Sequence, residues 1–137
     1  MDIKIEVVFV PVTDVDRAKQ FYVEGLGFHA DYDERPDENT RFVQLTPPGS
    51  ACSIAIGEGL GRNMAPGSLE AVMAVIPDAD AFLADVRSRG VEADGVDEQA
   101  WGRFVTLRDP DGNLWTFQQL PVWSAGGEAA GSDVAAG

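Results

Sequence analysis

Side chains able to run nucleophilic or metal chemistry are scarce in this chain: among 137 residues there is one histidine, His29, and one cysteine, Cys52. A Ser/His/Asp or Cys/His set needs an imidazole beside the nucleophile and a third group to orient it. His29 stands just after Gly27-Phe28 at the start of a strand, with no partner and no spacing that supports such a role. Cys52 adjoins Ser53 on an apolar stretch and reads as a buried, inert thiol. Alone, it can form neither an internal disulfide nor the paired-cysteine half of a zinc or redox motif. General acid–base work would fall to Tyr22, Glu58 or Arg103. Trp101 offers an aromatic face for stacking on a planar ligand and Arg103 a fork for an anion or carbonyl. The plainer alternatives are sheet packing for Trp101 and an ion pair with a neighbouring acid for Arg103.

Ten Lys and Arg against 23 Asp and Glu give a net charge of −13. This disfavours nucleic acid and anionic membrane as partners and fits either a solvated acidic surface or a preference for cationic ligands. A length of 137 residues and 45% hydrophobic content suit one domain with a real core. Met1 is followed by Asp2-Ile3-Lys4-Ile5-Glu6, with no basic leader and no long apolar run, so neither a signal peptide nor a membrane span is expected. With the lone cysteine, this points to the reducing cytoplasm.

The elements that must position these groups are most legible at residues 101–118. Asp109-Pro110-Asp111-Gly112 has Pro where a type I turn wants a preset φ and Gly where the next residue goes left-handed, which predicts a hairpin closed with a bulge. Alternation on either side predicts strands over 103–108 and 113–119. Upstream, residues 3–12 read as a strand, and Thr13 or Asp14 caps a helix with Val15, Ala18, Phe21 and Tyr22 on one face, stopped by Gly25 and Gly27. Strands follow over 28–34, 41–46 and 51–57, then a Gly-rich linker over 58–68. The second half repeats the order: a strand over 69–76, a helix capped by Asp78 with Phe82, Leu83 and Val86 inward and ended by Gly90, a strand over 91–96, and the hairpin.

The repetition is numerical as well as topological. Residues 12–16 correspond to 76–80 at an offset of 64 (76 − 12), and Arg41-Phe42-Val43-Gln44-Leu45 matches Arg103-Phe104-Val105-Thr106-Leu107 at 62 (103 − 41). Two βαβββ modules, residues 3–57 and 69–120, therefore make one α+β domain over 1–123, each presenting a sheet face that it cannot bury alone. Residues 124–137 lose all periodicity and are expected to form a mobile tail.

This pattern resembles the vicinal oxygen chelate superfamily, the glyoxalase/bleomycin resistance protein/dioxygenase type. The residues carrying the resemblance are Asp14-Val15-Asp16-Arg17-Ala18, Phe21-Tyr22, Leu26-Gly27-Phe28, Trp101-Gly102-Arg103 and Asp109-Pro110-Asp111-Gly112-Asn113. The resemblance implies two curved sheets around a cleft with helices outside. It also implies a metal held by His and Glu from the first and last strands of each module. Those positions fall here on Val7, Ala55, Ala71 and Thr116, none of which binds a divalent cation through its side chain as His, Asp or Glu does. A shift of one residue would bring in Glu6 and Glu70, but strand alternation would turn each to the opposite face.

With no metal or other cofactor expected, the same alternation leaves a binding surface of Val7, Phe9, Ser53, Ala55, Ala71, Met73, Leu114, Thr116 and Gln118, joined by Trp101 and Arg103. Trp115 and Phe117 alternate with that set and are expected beneath the helices. Residues 98–103 with Leu107-Arg108-Asp109-Pro110 are similar to the corresponding segment of bleomycin-resistance proteins, which sequester a cationic aromatic compound, typically as homodimers with grooves between subunits. The resemblance thus implies a metal-free protein that holds an aromatic or cationic small molecule in an apolar cleft, as in drug sequestration or resistance. A fold-related enzyme, a lyase, isomerase or dioxygenase acting on a small metabolite, is the alternative, and a purely structural dimer a third.

Overall fold

A computed structural model describes residues 1–61 and 63–121. The expected tail over 124–137 lies outside them. The chain runs β1 (Val7–Phe9), α1 (Val15–Gln20), β2 (His29–Asp37), β3 (Thr40–Thr46), β4 (Ser53–Glu58), β5 (Val72–Val75), α2 (Ala79–Ser88), β6 (Asp97–Gln99), β7 (Gly102–Arg108) and β8 (Leu114–Gln119). The strands form two mixed four-stranded sheets, ordered β1-β4-β3-β2 and β5-β8-β7-β6. The α+β architecture of paired βαβββ modules expected from the repeat is the one observed.

The duplication reaches the register. Val8 pairs with Ile54 as Val72 pairs with Trp115, offsets of 64 (72 − 8) and 61 (115 − 54). Val43 pairs with Ile56 as Val105 pairs with Phe117. Both helices are capped alike: the Asp14 carboxylate accepts from the Arg17 amide at 3.0 Å and the Asp78 carboxylate from the Ala81 amide at 3.1 Å, satisfying one otherwise orphaned donor at each helix start. Beyond Gln20 the first helix widens into a π-helical turn, Phe21–Gly25, which buries Tyr22.

One apolar core runs through both modules. Val43, Leu45, Ile54 and Ile56 of the first sheet and Val105, Leu107, Trp115 and Phe117 of the second join Val15, Ala18 and Tyr22 of the first helix and Ala79 and Val86 of the second. Tyr22 bridges the modules, its ring 5.6 Å from that of Trp115. As expected, Trp115 and Phe117 lie under the helices, with the Phe82 ring tilted against that of Phe117 at 4.4 Å.

Three local expectations change. The first strand is confined to Val7–Phe9, and the fifth to Val72–Val75. No strand forms over 91–96; β6 lies at Asp97–Gln99 instead. The reason is that Val91 finishes the helix rather than starting a strand: its amide bonds the Val86 carbonyl at 3.0 Å, and Asp94 alone reaches β7, through Thr106 O. Such a left-handed exit at Gly90, φ +86, with a hydrophobic residue after it is a helix C-cap.

Candidate functional site

The turn that closes β7 to β8 builds the frame around the site. Asp109 is buried, and its Oδ1 accepts from the amides of Asp111 (2.9 Å), Gly112 (3.0 Å) and Asn113 (2.9 Å). Its Oδ2 accepts from the Tyr22 hydroxyl at 2.7 Å and from Asn113 Nδ2 at 2.8 Å. Five donors replace the water that the carboxylate loses, which is what burial of a charge requires. The Tyr22 oxygen in turn accepts from Trp115 Nε1 at 2.9 Å. Burial, reinforced by the Asp109 carboxylate, pushes the Tyr22 phenol far above its ordinary range, so it is a fixed donor and not an acid–base group.

The same turn ties both modules to the linker. Asn113 Nδ2 donates to Pro11 O at 2.8 Å while its Oδ1 accepts from the Leu69 amide at 3.0 Å. Thr13 Oγ1 donates to Asp111 at 2.7 Å. Gly67 packs against Asp111, where a Cβ would stand 2.1 Å from the carbonyl oxygen. Asp109-Pro110-Asp111-Gly112-Asn113 is therefore a clasp, with its chemistry directed inward.

The faces of the sheets turned away from the core carry most of the expected binding residues. In the first sheet Val7 lies opposite Ser53 and Phe9 opposite Ala55, so the four share a face. In the second, Met73 lies opposite Thr116, and Gln118 opposite both Val75 and Phe104. Ala71 precedes β5 and is exposed. Leu114 lines a shallow depression with Thr106, Arg108 and Asp94. Trp101 sits in a turn, 62% exposed, and its carbonyl accepts from Gln118 Nε2 at 3.0 Å.

Arg103 does not join this set. It shares the core-side face of β7 with Val105 and Leu107, and its guanidinium pairs with Asp80 in the first turn of α2 at 2.8 Å and Glu98 at 3.7 Å. In the first module Arg41 pairs in the same way with Asp16 at 2.9 Å. The two arginines are equivalent braces between sheet and helix. Glu58 is engaged with Arg35 at 3.2 Å. His29 is exposed at its strand end, 3.6 Å from Asp31. Cys52 is half-buried in the bend before β4 and not fully buried as expected, because it precedes the strand.

Two further hollows adjoin the candidate residues. Phe9 and Ala55, with Gly57 and the linker residues Leu60 and Met64, enclose about 220 Å³ on the first sheet. Ser53 and Met73 share a groove of about 410 Å³ between the modules, floored by Val8, Ile54, Ala74 and Trp115. The linker is thus a wall of the first hollow rather than a bare connection.

Sequence reasoning missed a polar row on the first sheet. Gln44 Nε2 donates to Ser53 Oγ and to Glu6 Oε2, each at 3.3 Å, and Ser53 Oγ lies 2.6 Å from Thr46 Oγ1, which bonds Asp31. Glu6 was expected to face away. It precedes β1, so alternation does not bind it, and its carboxylate reaches Gln44 instead. Asp31 is re-aimed by a bulge between Ala30 and Tyr32. The signal available in sequence was Gln44 itself, a polar residue between Val43 and Leu45 in an apolar strand.

A divalent metal does not fit the residues present. Val7, Ala55, Ala71 and Thr116 supply three aliphatic side chains and one hydroxyl, and among the described residues no three His, Cys, Asp or Glu side chains converge as a cation site. Among the same residues no helix is long and apolar enough to cross a membrane.

Comparison with known proteins agrees with this architecture. A solved antibiotic binding protein, TnmS3 from Streptomyces sp. CB03234, superimposes with a TM-score of 0.79 at 36% identity, covering 88% of this chain and 99% of that one. A superfamily member from Sphaerobacter thermophilus DSM 20745 gives a TM-score of 0.73 at 29% identity, covering 86% and 98%. YetH of Bacillus subtilis (strain 168) is 27% identical over 120 residues, 85% of this chain and 98% of its own length. The family model described as Glyoxalase/Bleomycin resistance protein/Dioxygenase superfamily matches residues 4–117, and the duplicated register and paired sheets agree with it: the chain belongs to that superfamily.

Proposed function

We propose that this chain is a metal-free small-molecule-binding protein that holds an aromatic or cationic ligand against the open faces of its sheets and acts by sequestration, as in drug resistance. The observation that carries the reading is that Val7, Ala55, Ala71 and Thr116 stand where a metal-binding set would, while Ala55 lines a hollow of about 220 Å³ and Ser53 and Met73 line one of about 410 Å³. Apolar walls with a few hydrogen-bonding groups suit recognition of a small amphipathic molecule. The 36% identity to a protein described as antibiotic binding supports the same reading.

The groups named for metal-independent catalysis give the enzymatic alternative no such support. Tyr22 is buried in the core, Glu58 is paired at a strand end, and Arg103 braces α2. Ligand contacts are proposed for Val7, Phe9, Ser53 and Ala55 on the first sheet and for Met73, Leu114, Thr116, Gln118 and Trp101 on the second. Ala71, exposed just before β5, is proposed with them. A homodimer is part of the proposal, since Met73 and Val75 are 62% and 64% exposed on the edge strand β5 and a second copy would cover them.

A thermal-shift comparison tests the reading. Planar cationic aromatics should raise the melting temperature in proportion to the logarithm of their concentration above Kd, and added Mg²⁺, Mn²⁺ or Zn²⁺ should not. Strong stabilisation by a divalent metal, with none from any planar compound, would overturn it.

A further inference from the structure

The polar row on the first sheet has a direction, and that direction selects the ligand. An ionised carboxylate only accepts hydrogen bonds. The Thr46 hydroxyl must therefore donate to Asp31, and the Ser53 hydroxyl, 2.6 Å away, must donate to Thr46. The Gln44 contact to Glu6 Oε2 at 3.3 Å fixes the amide with its nitrogen toward the acid, and the same nitrogen donates to Ser53 Oγ at 3.3 Å. Every donor in the row is thus turned inward. What remains for a ligand is acceptors: the free lone pairs of Glu6 and Asp31, and Gln44 Oε1, which has no hydrogen-bond partner among the described residues.

No lysine or arginine among the described residues of this module offsets them, and the one imidazole nearby, His29, stands with Nε2 3.6 Å from Asp31 at an exposed strand end. Lys4 pairs with Asp2, Arg17 with Asp111, Lys19 with Asp33, Arg35 with Glu58, and Arg41 with Asp16 and Asp33. The row adjoins the apolar hollow through Ser53 and Ala55, alternate residues of β4 on one face, and the Phe9 and Phe42 rings stand edge to face at 6.4 Å on that side.

We infer that Glu6, Gln44 and Asp31 are the specificity-determining residues of the binding site, and that they select ligands whose polar end donates hydrogen bonds, an amine or ammonium group carried on a planar apolar body, against ligands ending in a carboxylate or phosphate. This rests on the binding reading above and narrows it to one end of one sheet. In the second module the positions equivalent to Glu6, Gln44, Thr46 and Ser53 are Glu70, Thr106, Arg108 and Leu114, so no such row can form there.

Fluorescence titration of the full chain with three probes of one ring system, an aminoacridine, an acridine carboxylic acid and unsubstituted acridine, tests the inference. The amine should bind at least about tenfold more tightly than the acid, the weight of a hydrogen bond to a charged group. Glu6→Gln, on an exposed side chain outside the core, should reduce that ratio several-fold. Glu38→Gln removes the same charge from the distant β2–β3 turn and should leave the ratio in place, which separates a local contact from attraction to an acidic protein. Equal binding of amine and acid, or equal effects of the two substitutions, would refute the selection while leaving binding intact. If none of the three acridines binds, the sequestration reading falls, and this one with it.

Discussion

The two modules share a scaffold and differ in what they display. Their strands pair in the same register, their helices carry the same aspartate cap, and an arginine on β3 or β7 reaches the acid in the first turn of the neighbouring helix in each. On the opposite face they part. The first module carries buried Gln44 and Ser53 in a polar row and has the linker folded over Phe9. The second carries exposed Met73, Val75 and Trp101, and its outer strand is reduced to Asp97–Gln99. The core sides of both sheets fill one shared interior, so equivalent positions there stay apolar even where size differs, Ile54 and Ile56 being matched by Trp115 and Phe117. The free face has no such constraint, and binding chemistry can differ between the copies.

The largest effect is expected where the modules are joined. Asp109→Ala removes the acceptor for five donors and should destabilise the protein by about 3–5 kcal/mol in urea unfolding, with both modules lost in one transition. Two separate transitions would show that the clasp does not couple them. Next, Val43→Ala and Val105→Ala truncate equivalent, fully buried residues. Each should cost about 1–3 kcal/mol, and the two should agree within about 1 kcal/mol if the core sides are equivalent.

A smaller asymmetry should appear in acid. Hydrogen bonds from Arg41 and then Lys19 hold the Asp33 carboxyl well below its usual range. Because its folded pKa is depressed, its contribution is present above the unfolded value of about 3.9 and is lost as pH falls through the folded one. Asp33→Asn should therefore flatten the stability profile below about pH 4. An unchanged slope in that window would mean that the Arg41 brace adds nothing beyond its counterpart at Arg103. The smallest effect on folding belongs to Met73→Asp, within about 0.5 kcal/mol because the side chain is exposed. Light scattering should nonetheless show loss of the proposed dimer, and a variant as dimeric as the parent would place the interface elsewhere.

Much of this frame was legible in the residues. The clasp turn, both helix caps, the inward Trp115 and Phe117 and the duplication follow from local turn chemistry and from periods that repeat at offsets of 61, 62 and 64 (116 − 55, 103 − 41, 76 − 12). The shared face of Val7, Phe9, Ser53 and Ala55 was legible too, since it follows from alternation along β1 and β4. Legibility ended where alternation ends: Glu6 lies before its strand, Asp31 in a bulge, and Val91 in a helix cap that an apolar run disguised as a strand.

By itself, the sequence determined the repeat, the strand faces and the lack of a His/Glu set, because each depends on residue type at short, regular spacing. Only the tertiary structure decided that Arg103 pairs with Asp80, that Tyr22 is locked to Asp109 across 87 positions of chain, and that Gln44 points its nitrogen at Glu6. These are choices among partners brought together by folding, and the distances that settle them arise only when the sheets, helices and clasp are packed as one body.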